Sequence, residues 1–252
     1  MESMRKEFAR LADVLGERCD GQAVYYLPNS GNWGDALIRQ GTRKLLQDLG
    51  IVYTELRGLN ERWEIRWGAT LIYGGGGGWC RLWNHSIGTL KRVQRLFRHI
   101  VVLPSTYELS YSLPNATFFC RDRCESRENM PQATFCHDLA FYLGRQAAAP
   151  GRGKGAFFRT DAESAHPGQV PAGNNDISLR GGHLWDTAPF VQAVAEYAEL
   201  HTDRLHVAIA GCLLERTVHF YPGAYFKNRA VYLSSMLDYF ENVRFSEERF
   251  VA

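Results

Sequence analysis

The chain has 252 residues, 45% apolar and 13% aromatic, enough for a packed core in one large or two small domains. Its 29 basic and 27 acidic residues are interspersed and leave a net charge of +2, so composition points to neither nucleic-acid nor membrane binding. No apolar run approaches ~20 residues, and residues 1–21 mix charges without a signal-peptide core, so a cytoplasmic protein is expected.

Residues 2–19 carry Phe8, Leu11, Val14 and Leu15 at helical spacing and predict a leading helix. Residues 23–27 are a short β-favouring run. Asn32-Trp33-Gly34-Asp35 then opens a helix that Gly50 ends, and residues 51–56 form the next strand. Strand, helix, strand in this order is a βαβ unit. Residues 69–73 are a further buried strand, ending in five glycines, 74–78, whose backbone is free to take positive φ and approach an anion. A helix over 87–98 follows, with Lys91, Arg92, Arg95, Arg98 and His99 on a solvated face; its minority reading is an electrostatic contact with a membrane surface or an acidic polymer. The strand at 99–103 is expected to stop at Pro104, and further strands are expected at 118–122 and 134–140.

Residues 144–155 shift to Ala, Gly and Pro and read as a linker between a first domain, 1–145, and a second, 156–252. The second begins with a strand at 155–161. A Pro-, Gly- and Asn-rich loop spans 162–183, and a helix is expected over 187–200. The polar tetrad His201-Thr202-Asp203-Arg204 then runs into a helix over 207–214, capped by Asp203 or Thr202. Arg204 and His206 would lie in its first turn, where the dipole favours an anion; a plain amphipathic helix with a polar first turn explains the same residues. Residues 217–221 are the next strand. The six cysteines include no CxxC pair, so reduced thiols and no metal site are expected.

The expected fold is therefore α/β: two Rossmann-like domains facing across a cleft, resembling the glycosyltransferase-B architecture, with a compact second domain. The motifs Gly31-Asn32-Trp33-Gly34-Asp35, Gly74 to Gly78, Leu103-Pro104-Ser105, Arg121-Asp122 with Ser126, His137-Asp138-Leu139-Ala140, Arg159-Thr160-Asp161, and Asp203-Arg204-Leu205-His206 with Lys227 occur in this order. Together they resemble the polysaccharide pyruvyl transferase family over most of the chain. Leu139 stands where the family usually has proline.

The resemblance implies transfer of the enolpyruvyl group of phosphoenolpyruvate to two hydroxyls of a saccharide or lipid-linked saccharide, giving a pyruvate ketal and phosphate. No cofactor is implied; a homo-oligomer is compatible. Such a donor carries a carboxylate and a phosphate, which arginine forks bind bidentately. By motif, Arg159, Arg204 and Leu205 would contact the donor. His206 would be its acid or a phosphate ligand, since imidazole titrates near neutrality. Asp35 would face the acceptor hydroxyl or merely cap its helix. Asn32, Gly74, Gly75, Gly76 and Gly77 would shape the cleft, with Lys227 nearby or simply solvated. Arg121 and Asp122 could be an internal ion pair, and Trp33, Trp79, Trp83 and His85 could stack on sugar or pack. A nucleotide-sugar glycosyltransferase would instead need an acid such as Glu196, Glu199 or Glu215 in the second domain, and a non-catalytic assembly protein would need neither.

Overall fold

The structure is a computed structural model and describes residues 4–58 and 65–248. It is an α/β fold built on two parallel sheets. The first runs in the order β2-β1-β3-β5-β6-β7, with β4 also on β5, and the second in the order β11-β10-β9-β8. The strands are β1 (Val24–Leu27), β2 (Thr54–Glu55), β3 (Ala69–Tyr73), β4 (Gly76–Trp79), β5 (Phe97–Tyr107), β6 (Ala116–Cys120), β7 (Thr134–Phe135), β8 (Lys154–Phe157), β9 (Glu199–Thr202), β10 (Thr217–Phe220) and β11 (Val243–Phe245). The helices are α1 (Arg5–Cys19), α2 (Trp33–Asp48), α3 (His85–Val93), α4 (Glu125–Asn129), α5 (Ala188–Ala195), α6 (Leu205–Leu213) and α7 (Lys227–Ser235). None is long and apolar enough to cross a membrane among the described residues.

Both faces of the first sheet are apolar, as a parallel sheet requires. Tyr25, Leu71, Val102 and Phe118 pack on one face. Tyr26, Ile72, Val101 and Phe119 pack on the other, in a cluster that continues through α2 and α6 into Phe157, Leu200 and Val218 of the second sheet. The expected βαβ unit is present: β1 and β2 are parallel and joined through α2.

Several elements differ from expectation, among them the strand expected over 134–140, which is only Thr134–Phe135 and is followed by a 3-10 turn at Leu139–Leu143. The glycine run is half strand: Gly76–Trp79 pairs with β5, and of its glycines only Gly76 has positive φ, +117°. Pro104 does not stop β5, because the register against β6 shifts between Val102 and Ser105 and a bulge needs no donor there. The helix expected over 87–98 is α3, shifted N-terminally; Phe97 and Arg98 already belong to β5. Most consequential, the helix expected over 187–200 ends at Ala195, and Glu199–Thr202 is a central strand of the second sheet. The helix after it starts with Arg204 as N-cap, not Asp203 or Thr202; Thr202 Oγ1 accepts from Arg204 N at 2.9 Å instead.

Helix α2 is seated closely on the 3-10 turn Leu139–Leu143. A Cβ on Gly41 would lie 1.8 Å from the Leu139 carbonyl oxygen. Gly41→Ala gains about 1 kcal/mol of helix propensity but forces two backbones apart. The expected net effect is a loss of about 1–3 kcal/mol, read from the urea midpoint. A stabilised variant would show that the two segments separate freely.

Candidate functional site

In parallel sheets, ligands bind beyond the carboxyl ends of the strands. Here those ends deliver Asn29 after β1, Arg121 after β6, Arg159 after β8 and Arg204 after β9. With α2, α6 and α7 they enclose a cavity of about 350 Å³. That lies near the small end of the range for metabolite sites, about 300–1,000 Å³. Asn32, Asp35, Gly77, Arg159, Arg204, Leu205, His206 and Lys227 all line it.

The cations in its wall are cross-braced by carboxylates. Arg159 donates from Nε and Nη2 to Asp161 at 2.8 and 3.1 Å, and its Nη1 lies 2.5 Å from Glu163 Oε2. Arg204 donates from Nε and Nη2 to Asp176 at 2.8 and 2.7 Å, and its Nη1 lies 2.8 Å from Asp161 Oδ2. Lys227 pairs with Glu163 and is buried rather than solvated. Asp161 thus ties the two arginines together, and Glu163 ties Arg159 to the lysine. Of the five N–H groups on each guanidinium, three meet carboxylates, so both forks are held in place with donors to spare. Burial pushes the Asp161 and Glu163 carboxyls up. For Asp161 the hydrogen bond and charge of Arg159 and the charge of Arg204 outweigh burial and hold it well below the ordinary range. For Glu163 the charges of Lys227 and Arg159 outweigh burial, and its pKa falls to about 2. Burial pulls the Lys227 ammonium down, against Glu163.

Across the cavity, Asn32 caps α2 by accepting from Gly34 N at 2.8 Å, and Asp35 Oδ2 accepts from Asn32 N at 2.9 Å. Asp35 therefore does cap its helix, yet it also lines the cavity. Burial pushes its carboxyl up, opposed mainly by the charges of His206 and Arg121. His206, on the first turn of α6, stands over α2 where Gly34 leaves room; a Cβ there would lie 2.6 Å from His206 Nδ1. Its Nε2 is 3.5 Å from Asp138 Oδ2, long for a hydrogen bond, so this buried ring nitrogen has no good partner among the described residues.

Asp138 is bonded on the other side to Arg121 Nη1 at 2.8 Å, and Arg121 Nε donates to Thr106 Oγ1. Arg121 thus pairs with Asp138 and not with Asp122, which instead accepts from Cys124 N and Ser126 N at the start of α4. Asn29 Oδ1 gathers Tyr73 Oη at 3.2 Å, Ser86 Oγ at 3.1 Å and His85 Nε2 at 2.9 Å. His85 is thereby part of the wall, and its imidazole is pulled down by burial.

Three of the expected glycines lie elsewhere. Gly74 and Gly75 are small because the backbones of Asn29 and Pro104 press against them; would-be Cβ atoms lie at 2.3 and 2.4 Å. Gly76 passes behind Asp35. Trp79 is 1% exposed, boxed by Tyr73, Tyr107, Tyr111 and Phe118, and is core; Trp33 packs on Trp185 and Phe190. Among the tryptophans of the described residues, only Trp83, 42% exposed, reaches the cavity. His137 is buried away from it, bonded to Ser235 and pushed by burial to a pKa of about 4. Glu196, Glu199 and Glu215 do not line it. Sequence reasoning missed Asp161, Glu163, Asp176 and Asp138 as site residues. The signal for the first two was present, since acids two and four residues after Arg159 return to its side chain; Asp176 sits in a loop with no pattern of its own.

No family model and no curated protein matches the chain. Among solved structures, it is similar to an uncharacterized protein from Klebsiella pneumoniae, at 27% identity and a TM-score of 0.82, covering 96% of this chain and 99% of that one.

Proposed function

We propose that the cavity binds phosphoenolpyruvate and transfers its enolpyruvyl group to two hydroxyls of a saccharide or lipid-linked saccharide, forming a pyruvate ketal. The two sheets would then belong to two Rossmann-like domains of glycosyltransferase-B type, donor on the second and acceptor on the first. The observation that carries the reading is the pair of guanidiniums, Arg159 and Arg204, braced through one Asp161 beside His206. A donor with two anionic groups fits two fixed forks with Lys227 next to them.

In the proposed reaction His206 delivers a proton to the methylene carbon of the donor. One sugar hydroxyl bonds to the resulting cationic C2, giving its proton to Asp35. The second hydroxyl then bonds to C2 as the C–O bond to phosphate breaks, and its proton leaves with the phosphate. A carboxyl raised by burial, as in Asp35, is a better proton acceptor than an ordinary one. Arg159, Arg204 and Lys227 are balanced in charge by Asp161, Glu163 and Asp176, so an anion meets the spare N–H donors of the two forks without a net positive charge to draw it in. That predicts a modest affinity.

The test is calorimetric titration with phosphoenolpyruvate, with nucleotide-sugars in parallel. Arg204→Ala is expected to weaken phosphoenolpyruvate at least about 30-fold, the cost of removing one partner from a buried charged contact. Binding of a nucleotide-sugar with silence toward phosphoenolpyruvate would replace this reading with glycosyl transfer.

A further inference from the structure

Strand alternation gives the second sheet two different faces. Leu200 and Val218 turn toward α6, where Gly211 makes room for both; a Cβ there would lie 2.6 and 2.7 Å from them. The opposite face of the same strands presents Glu199 and His201, two residues apart on β9. His219 on β10 is the direct cross-strand neighbour of His201. None of the three lines the candidate donor cavity.

Their ligating atoms converge. The imidazoles of His201 and His219 stack with centroids 4.5 Å apart and planes within 6°. This brings both Nε2 atoms to the same carboxylate oxygen, Glu199 Oε1, at 2.9 and 3.3 Å. One ligand atom from each residue lies within 4.8 Å of the other two. Ligands held at about 2.0–2.1 Å around a tetrahedral ion stand roughly 3.3 Å apart, so these separations are already close to those of a bound set. His201 also has outer support: its Nδ1 is 3.2 Å from Tyr221 Oη. A histidine fixed through one nitrogen presents the lone pair of the other, the arrangement typical of metal-bound imidazole.

We propose that Glu199, His201 and His219 form a binding site for a divalent transition ion, zinc by preference, with water completing the coordination. Two imidazoles and one carboxylate are the donor set of three-ligand zinc sites, and such nitrogen-rich sets discriminate against magnesium and calcium. The competitor for the carboxylate is Lys154, whose Nζ lies 3.0 Å from Glu199 Oε1 on a side chain 69% exposed; the ion displaces it into solvent. A bound ion would clamp β9 to β10 and so fix the strand that leads directly into Arg204.

The experiment uses the untagged chain, stripped with chelator, and titrates zinc alone by calorimetry and cobalt by visible absorption. One equivalent is expected to bind, with the absorption of four-coordinate cobalt and a rise in Tm. Glu199→Gln and His219→Ala should each weaken zinc by more than about 10- to 100-fold, the range for loss of a mere outer partner. His219 is 33% exposed, so its alanine variant should keep the far-ultraviolet spectrum of the parent. Lys154→Ala should bind at least as tightly as the parent. Absence of saturable binding overturns the proposal. So does binding that survives both ligand substitutions, which would assign the ion to a thiol such as Cys124.

Discussion

Replacing Asp138 with alanine is expected to cost about 3–5 kcal/mol of stability. Asp138 and Arg121 are 0% and 1% exposed, and the truncated variant would leave a guanidinium buried without its counter-ion. The loss has a second part, because Asp138 Oδ1 also accepts from Ala140 N at 2.9 Å and starts the turn on which α2 rests. Urea unfolding measures the total. The double variant Arg121→Met with Asp138→Leu should lose less than Asp138→Ala alone, since an apolar pair replaces a charge pair without leaving an orphan. If the double variant is the worse of the two, the pair stabilises through its charges and the desolvation argument fails.

The same residue has a signature in acid. Burial pushes the Asp138 carboxyl up, but the His206 imidazole 3.5 Å away and the charge of Arg121 outweigh it and hold the carboxyl far below the ordinary range. A depressed folded pKa gives stability that is complete above the unfolded value, about 3.9, and is lost as pH falls toward the folded one. Wild type should therefore lose stability below about pH 4 more steeply than Asp138→Ala, so the two curves converge in acid.

The parts of this molecule legible in its sequence are those set by local pattern. Residues 24–27 and 69–73 are apolar and β-branched or aromatic, so β1 and β3 follow from composition, and the Asn32–Asp35 box starts α2 as its residue types require. Strand β9 was hidden because Glu199, His201 and Thr202 alternate with a single leucine, and helical spacing runs into them from α5 without a break. Its strand state comes from pairing with β8 and β10, a tertiary fact. Likewise Gly74 and Gly75 look like a ligand loop in sequence but are small for packing against Asn29 and Pro104. The cations of the site were legible because their motifs are compact. Asp176, thirteen residues from Glu163, the nearest other member of the brace, was not; its place depends on a loop folding back to Arg204.

His206→Gln tests the reaction rather than the fold. On the proposed chemistry this substitution should leave phosphoenolpyruvate affinity within a few-fold, because Arg159, Arg204 and Lys227 hold the anionic groups. Turnover should fall by about 10²–10⁴, the usual contribution of a positioned acid. Glutamine is close in length to histidine, fits beside Gly34, and keeps a polar atom toward Asp138, so the brace around Arg121 should survive. Phosphate release with saccharide acceptors reads turnover. Exchange of the donor's methylene hydrogens in deuterated water, followed by NMR, reads the protonation step without requiring the natural acceptor. Loss of both exchange and turnover at retained affinity places the proton on His206. Loss of affinity in proportion to turnover would instead make His206 a ligand of the phosphate. Full activity would move the acid to another group on the wall, with His85 the next imidazole within the same cavity.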